Sequence, residues 1–253
     1  MASERLAIVV LVALNGLALW LLERLRPASV AGATRPRPVR TNLVLTALLI
    51  VVSLALGAAT HARGRQAGVE WMRTLVTVVA LDGLAYLAHV LMHALPWGWR
   101  FHRVHHSDAH VDVTTAFRQH PLETLWRHGF QAAGALAIGA SSGAVAIYLA
   151  LSAVVAQVEH AHVSLPWGIE RAARAVFATP AMHRVHHSRL REETDTNYSN
   201  IFSWWDRVFG TYRAPRPDDA IIFGLEGCGA PERQQVAHLL KAPFVPCPRA
   251  STS

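Results

Sequence analysis

The sequence is poor in cysteine and in charge. Only two cysteines are present, Cys228 and Cys247, and they form no C-x-x-C pair. This scarcity argues against a disulfide framework and excludes a cysteine ligand set for an iron–sulfur cluster. Charged residues make up 16% of the chain, against 52% apolar residues. Such a composition favours an integral-membrane protein if the apolar residues are grouped in long runs.

Two motifs that many enzymes use are also missing. No H-E-x-x-H supplies the general base that a zinc hydrolase needs beside its ligands. The glycine-rich stretch 224–229 lacks the strand and helix that a dinucleotide-binding loop requires, and it is predicted to be a turn. A chain that performs redox chemistry without such a loop needs electrons from a separate protein.

Lysine is nearly absent, since 24 basic residues include only Lys241, and the net charge is +7. A basic chain can bind nucleic acid, but these arginines lie in loops beside apolar runs, where they suit anionic lipid headgroups instead. The arginine-rich loop 24–40 is predicted to be cytoplasmic and the loop 61–72 exterior. The preference for arginine favours a bacterial chain and hence the bacterial inner membrane, with any site at the end of the third run facing the cytoplasm.

Long apolar runs are present in the first two thirds of the chain. Three of them approach or exceed the roughly 20 residues that cross a bilayer as a helix. The first is interpreted as a retained anchor, because no A-x-A cleavage site follows it. The runs cover residues 6–22, 43–60, 75–95 and 130–158.

Histidine is abundant, with 15 residues, and its spacing is regular. His89 and His93 are four residues apart, so they share one face of a helix. The hexapeptide His-Arg-Val-His-His-Ser occurs twice, at 102–107 and 183–188, and Leu-Pro-Trp-Gly precedes each copy. Four further histidines lack such spacing and are predicted to be peripheral: His61, His110, His128 and His238.

The eight histidines of these motifs indicate a metal site. Converging imidazoles would repel each other if protonated and would leave nitrogens unsatisfied if neutral, whereas a bound cation solves both problems. Imidazole suits iron, zinc, copper and nickel, so ligand type does not choose the metal. A single zinc uses three or four protein ligands, so eight histidines predict two metals with four or five ligands each.

The motifs and their surroundings resemble the fatty acid hydroxylase/sterol desaturase superfamily of membrane di-iron enzymes. The resemblance covers residues 75–212. It is specific for the superfamily but not for a substrate, since members act on sterols, fatty acids, sphingolipids, alkylglycerols, aldehydes and carotenoids. The motifs that carry it are His89-x-x-x-His93, His102-x-x-His105-His106, Arg118-Gln-His120-Pro-Leu-Glu123, Glu159-His160-Ala-His162, Thr179-Pro-Ala-Met-His183-x-x-His186-His187 and Asn197 to Tyr212.

The resemblance implies two iron ions that use O2 to hydroxylate or desaturate a lipid. A separate ferredoxin, cytochrome b5-like protein or reductase would supply the electrons. His120 is implied as a further ligand or a partner of one. His162 stands where relatives usually have asparagine and is expected to support the site without binding metal, while Asn197 and Asp206 are expected to orient ligands or close the C-terminal lobe. The implied ligands are His89, His93, His102, His105, His106, His160, His183, His186 and His187.

All boxes must lie on one side of the membrane to share a site. If residues 130–158 crossed once, the last box would lie opposite the first two, so this run is predicted to turn back at Ser141-Ser142-Gly143 as a helical hairpin. The predicted fold is all-α and integral to the membrane, with a dinuclear metal site. Two anchor spans lie in 1–72. A histidine-bearing span, the re-entrant hairpin and a cytoplasmic helical cap lie in 73–212, and an irregular tail with a short helix near its middle lies in 213–253.

Other functions remain open on the residues alone. A membrane zinc hydrolase needs a general base beside its ligands, and no motif supplies one. A non-enzymatic metal carrier or sensor needs polar residues along its spans, whereas Asp82 is the only charged residue there before the boxes. A haem carrier pairs histidines on facing helices, which histidine triplets do not provide.

Overall fold

The computed structural model describes residues 2–25, 38–61, 70–215 and 221–246. Within these ranges the chain is helical, with isolated bridges such as Phe177–Phe202 but no strand, so the predicted all-α fold is confirmed. Most of the loops 24–40 and 61–72 lies outside the described residues. The predicted orientation in the membrane therefore stays a prediction.

Eleven α-helices form in the described residues. Three 3-10 helices lie among them, at Val113–Phe117, Pro231–Gln234 and Ala242–Phe244. The α-helices are α1 (Ala2–Leu25), α2 (Val39–His61), α3 (Trp71–Ala94), α4 (Pro96–His106), α5 (Pro121–Ala137), α6 (Ser142–His160), α7 (Trp167–Ala173), α8 (Pro180–His186), α9 (Arg191–Thr194), α10 (Trp204–Val208) and α11 (Val236–Lys241).

Three of these helices are long and apolar enough to cross a membrane: α1 from Leu6 to Leu25, α3 and α6. Large apolar side chains cover their outer surfaces, as Leu14 shows by being 60% exposed, and such surfaces suit contact with lipid. Over its described side chains, α2 is apolar only from Val39 to Ala55, which is shorter than a usual span. The second anchor span therefore stays a prediction.

The fourth apolar run turns back as predicted. The chain leaves the histidine region along α5 and returns to it along α6. Gly139 adopts a left-handed backbone (φ 62°), which glycine tolerates best. Ser141 then caps α6, because its side chain accepts a hydrogen bond from the Ala144 N–H. Ser142 and Gly143, predicted to lie in the turn, belong to α6 instead.

The helix α3 is the centre of the arrangement. α5 and α6 both pack against α3, α2 packs against α5, and α1 packs against α6. Leu81 of α3 is buried together with Tyr148 of α6 and Ile201. The approach of α5 is close because Gly134 has no side chain, and a Cβ at that position would collide with Leu84. The histidine-bearing end of α3 is thus enclosed by neighbouring helices.

Buried polar side chains connect α1 and α2 to the cap. Glu23 of α1 accepts hydrogen bonds from the backbone N–H groups of Val113 (2.8 Å) and His162 (2.7 Å). Asn42 at the start of α2 accepts a hydrogen bond from Arg118 (2.8 Å). The first two helices therefore help to position the loops around the histidines, in addition to any anchoring role.

The tail folds back over α4. Leu239 of α11 is buried with Leu45 of α2 and Val104 of α4, and Arg103 donates hydrogen bonds to the carbonyl groups of Ala242 and Val245. α11 and the 3-10 helix before it lie where the short helix of the tail is predicted. This packing covers one side of the first histidine triplet.

Candidate metal centre

Nine buried histidines meet in the interior and form two groups. Within each group, one ring nitrogen of every histidine lies within 4.8 Å of the corresponding nitrogens of the others. This spacing fits ligands around one ion, since metal–imidazole bonds are about 2.0–2.1 Å long. The five-histidine group comprises His89, His93, His102, His106 and His186, and the four-histidine group comprises His105, His160, His183 and His187.

The helix ends place these side chains. Pro96 begins α4 directly after α3, so the first triplet follows His89 and His93 after a sharp bend. α8 begins at Pro180, and the side chain of Thr179 accepts a hydrogen bond at its N-terminus. His160 is the last residue of α6. Each candidate ligand therefore stands on or beside a helix end that the sequence defines locally.

The two triplets exchange their central histidines. On α4, His102 and His106 are four residues apart and share a face, whereas His105 is rotated about 100° from His106. His105 therefore joins the four-histidine group, which contains the outer two histidines of the second triplet. For the same reason His186 leaves its own triplet and joins the five-histidine group. Each group thus depends on both copies of the repeated hexapeptide.

The two groups are neighbours. The rings of His106 and His187 stack with their centroids 4.7 Å apart, and those of His102 and His105 lie 5.3 Å apart. Ions held by the two groups would therefore occupy adjacent positions, as in dinuclear metal sites.

The outer nitrogens of most of these rings are hydrogen-bonded, which fixes the ring orientation. His89 Nδ1 donates to the Tyr198 carbonyl (2.8 Å), and His102 Nδ1 donates to the Glu123 carboxylate (2.8 Å). Because carbonyl and carboxylate oxygens only accept, each Nδ1 carries the proton and each Nε2 keeps a lone pair. Four more rings are held in the same way: His93 by Asp195, His105 by the Arg118 carbonyl, His160 by the Ala156 carbonyl and His186 by the Thr196 carbonyl.

The inner nitrogens have a chemical problem that a cation would solve. The Nε2 atoms of His89 and His102 lie 3.0 Å apart, although neither carries a proton to share. The Nε2 atoms of His93 and His186 are buried and have no hydrogen-bond partner. Lone pairs that face each other without a donor are costly, and a bound metal ion would use them all. The residues present therefore fit a pair of metal ions.

Burial also favours the neutral imidazoles that metals require. Protonated imidazole cannot bind a cation, so lowered pKa values suit a metal site. Burial lowers the pKa well below its usual value, and nearby imidazoles lower it further, for His102, His105, His106, His183, His186 and His187.

His120 lies outside both groups. It is the N-cap of α5, and its Nδ1 accepts a hydrogen bond from the Leu122 N–H (3.1 Å). Its Nε2 therefore carries the proton and donates to the Leu240 carbonyl (3.2 Å). Both ring nitrogens are thus used within the protein, and His120 joins the tail to the start of α5.

His162 also lies outside both groups. Its ring lies beside that of His110, with the centroids 5.4 Å apart and both side chains buried. Its backbone N–H donates to Glu23. His162 thus lies in the loop after α6, which its backbone N–H joins to α1. His110 is buried, so it is more enclosed than the peripheral residue that was predicted.

Asn197 and Asp206 hold the chain that follows α9. Asn197 has a left-handed backbone (φ 55°), and its amide donates to the Met182 carbonyl of α8. Asp206 accepts a hydrogen bond from the Tyr198 N–H (2.8 Å). Because the Tyr198 carbonyl accepts from His89, Asp206 supports a candidate ligand through the backbone.

Several residues that touch candidate ligands have no role predicted from the sequence, among them Glu123, Asp195 and Tyr198. Glu123 of α5 is fully buried and accepts a hydrogen bond from His102, and its place in the motif at 118–123 was the only available signal. Asp195 accepts from His93 (3.1 Å), and Tyr198 accepts from His89. These two contacts join parts of the chain about a hundred residues apart, which no local spacing reveals.

Known proteins resemble this chain over the same region. The family model for fatty acid hydroxylase matches residues 74–211. Ornithine lipid hydroxylase OlsE from Rhizobium tropici is 30% identical over 181 residues, which are 72% of this chain and 54% of that protein. Alkylglycerol monooxygenase from Caenorhabditis elegans is 32% identical over 145 residues, which are 57% of this chain and 28% of that protein.

A third relative is a cholesterol 25-hydroxylase-like protein from Danio rerio, which is 27% identical over 136 residues, or 53% of each chain. This chain spans about half the length of these curated relatives, or less. No solved structure matches it. With its three apolar helices and this set of relatives, the chain is an integral membrane protein.

Proposed function

The chain belongs to the fatty acid hydroxylase family, and from this premise we propose that it is a membrane di-iron oxygenase that hydroxylates a lipid. O2 is the co-substrate. A separate ferredoxin, cytochrome b5-like protein or reductase delivers the electrons. The nine histidines of the two groups are the iron ligands, and His120 is a positioning residue of the tail and α5.

The observation that carries this proposal is the pair of adjacent, all-histidine groups with their lone pairs turned inward. A single structural zinc needs only four ligands. Nine neutral histidines leave the positive charge of two metal ions largely uncompensated. The carboxylates of Glu123 and Asp195 accept hydrogen bonds from these ligands, and Glu159 lies 3.8 Å from the Nδ1 atoms of His160 and His183. A metal carrier must release its ion, which a site enclosed by nine buried histidines does not favour.

Each part of the protein has a distinct task in this proposal. Bound iron would supply the reduction of O2 and the attack on an unactivated C–H bond, which side chains cannot perform. The rings are held by Glu123, Asp195 and the backbone carbonyls, so their orientation is set before a metal binds. Burial of the histidines excludes water, which limits side reactions.

The substrate is a membrane lipid. The relatives named above act, by their names, on an ornithine lipid and on alkylglycerols, and this chain is 30% and 32% identical to them over 181 and 145 residues. We assign the catalytic unit to residues 73–212, the anchor to 1–72 and the tail to 213–253. We place the metal centre on the cytoplasmic side of a bacterial inner membrane, because two crossings, the second anchor span and α3, separate it from the cytoplasmic arginine-rich loop 24–40.

Oxygen labelling tests the reaction. Protein purified without air, loaded with iron and placed in vesicles of bacterial lipid is supplied with a reductant and ¹⁸O₂. We expect a lipid that carries a labelled hydroxyl group, measured by mass spectrometry, and no such product under nitrogen. A new double bond without labelled oxygen would contradict hydroxylation, and the absence of both products from iron-loaded protein would contradict the oxygenase.

A further inference from the structure

The chain between α9 and the tail returns to the middle of α3. Asp82 lies near the midpoint of α3 and is fully buried. Its carboxylate accepts hydrogen bonds from the backbone N–H groups of Ile201 (3.0 Å) and Phe202 (3.1 Å) and from Trp205 Nε1 (3.0 Å). The only charged side chain between residues 75 and 95 thus binds a segment from the C-terminal half.

A second contact places the same segment beside the middle of α6. The Asn200 amide donates to the Ser152 hydroxyl (2.9 Å), and Ser152 lies near the midpoint of α6. The ring of Trp205 lies against α3 at Gly83, where a Cβ would be 3.0 Å from it. Two independent candidate spans therefore fix this segment at the same level.

The position of Asp82 along α3 gives the depth at which the segment 200–205 lies. Asp82 precedes His89 by seven residues, which is about 10 Å along a helix axis. From Asp82 to the end of α3 at Ala94 the distance is about 18 Å, more than half the ~30 Å thickness of the hydrocarbon core. If α3 crosses the bilayer, residues 200–205 lie well below the headgroups on the metal side.

The outer face of the segment suits that position. Val208 and Phe209 are 69% and 61% exposed, and the rings of Phe202 and Trp204 stack with their centroids 4.3 Å apart. The only cation here, Arg207, is satisfied within the protein. It donates to the carbonyl groups of Ser203 and Arg174 and lies over the ring of Tyr212, so its N–H groups have partners within the protein.

We propose that residues 199–209 form a re-entrant segment within the bilayer, suspended from Asp82, whose exposed side contacts the hydrocarbon chains of membrane lipids. The segment belongs to the region predicted to be a cytoplasmic cap, so this surface enlarges the membrane-embedded part of the protein. Irregular backbone is tolerated at such a depth only where protein satisfies it, and Asp82 does so here.

The same surface leads to the metal centre. Phe209 stacks on Tyr86 (5.3 Å between centroids), Tyr86 contacts Tyr198 (6.3 Å), and Tyr198 contacts His93 (4.9 Å). This position has a consequence for the substrate, which rests on the proposed function. The acyl chain of the substrate approaches the five-histidine group from the hydrocarbon region past Phe209, so the acyl chain need not pass through water.

Spin labelling tests the position of the surface without any turnover. In full-length protein with Cys228 and Cys247 replaced by serine, a label is attached to Val208→Cys, or to Ile222→Cys as a matched control. Both positions are exposed aliphatic residues, but Ile222 (53% exposed) lies in the tail, bound to Arg189 through its backbone. In vesicles, the label at 208 should collide more with O2, which dissolves in lipid, than with a water-soluble nickel chelate. The order should reverse at 222, and a nickel-accessible label at 208 would overturn the proposal.

Kinetics test the substrate approach separately. Phe209→Ala should raise KM for the lipid several-fold at unchanged iron content, whereas Phe244→Ala, at another exposed phenylalanine (67%), should not. Equal effects of the two variants would overturn the approach past Phe209. If the wild-type protein produced no hydroxylated lipid, the proposed function would fail, while the spin labels would still decide where the segment lies.

Discussion

Replacing His105 or His186 by alanine should remove iron and reduce lipid oxidation tenfold or more, as the loss of a metal-site interaction commonly does. Each is the central histidine of one triplet but lies in the group of the other. His105→Ala leaves three histidines in its group, and His186→Ala leaves four. We therefore expect His105→Ala to lose about half of the bound iron, and His186→Ala to lose less iron but a comparable share of activity. Iron per chain and O2-dependent product, measured side by side, check this.

Two other histidines serve as controls for that experiment. His238→Ala should change neither quantity, because His238 belongs to neither group. His120→Asn should keep the iron, since asparagine is also a good N-cap, and only a modest loss of turnover is expected from the lost contact to Leu240. Iron loss in His120→Asn equal to that in His105→Ala would make His120 a ligand. Full activity in either His105→Ala or His186→Ala would contradict the di-iron assignment.

Removing the carboxylate behind His102 should weaken metal binding about 10–100-fold. Glu123 is fully buried and accepts hydrogen bonds from His102 Nδ1 (2.8 Å) and Arg127 Nε (3.0 Å). Glu123→Ala leaves both donors without this partner, and a buried donor left unsatisfied, such as His102 Nδ1, typically costs about 1–3 kcal/mol. Glu123→Gln keeps an acceptor oxygen, so its loss of affinity should be smaller. Competition with a chelator of known affinity measures the change.

Glu192→Ala is the matched control, since Glu192 is an exposed acid on α9 and its side chain is not part of either histidine group. Its metal affinity should equal that of the wild type. The folded state of Glu123→Ala is checked by circular dichroism and thermal unfolding with metal present. A folded Glu123→Ala protein with wild-type affinity would show that the carboxylate does not hold His102 in a binding orientation.

Much of the fold and of the candidate site could be predicted because the responsible patterns are local. A long apolar run predicts a helix whatever surrounds it. The reversal of the fourth run followed from the need to bring His160 and the second triplet to the side of the first. The structure differs only in the position of the turn, because Gly139 accepts a left-handed backbone and Ser141 supplies the cap.

Features that depend on distant contacts could not be predicted. The exchange of His105 and His186 between the groups follows from helix geometry, but only once α4 and α8 face each other. The role of His120 as a cap depends on the tail folding back to present the Leu240 carbonyl. Asp82 stood out as a charge within an apolar run, yet its partners lie more than a hundred residues away.

In the proposed enzyme the nine histidines hold two adjacent iron ions. The most direct test is metal analysis of wild-type protein purified without air, by mass spectrometry for all metals and by Mössbauer spectroscopy for coupling between irons. We expect about two irons per chain, coupled as a pair. A reproducible single metal per chain, tightly bound zinc in place of iron, or a bound haem would contradict it.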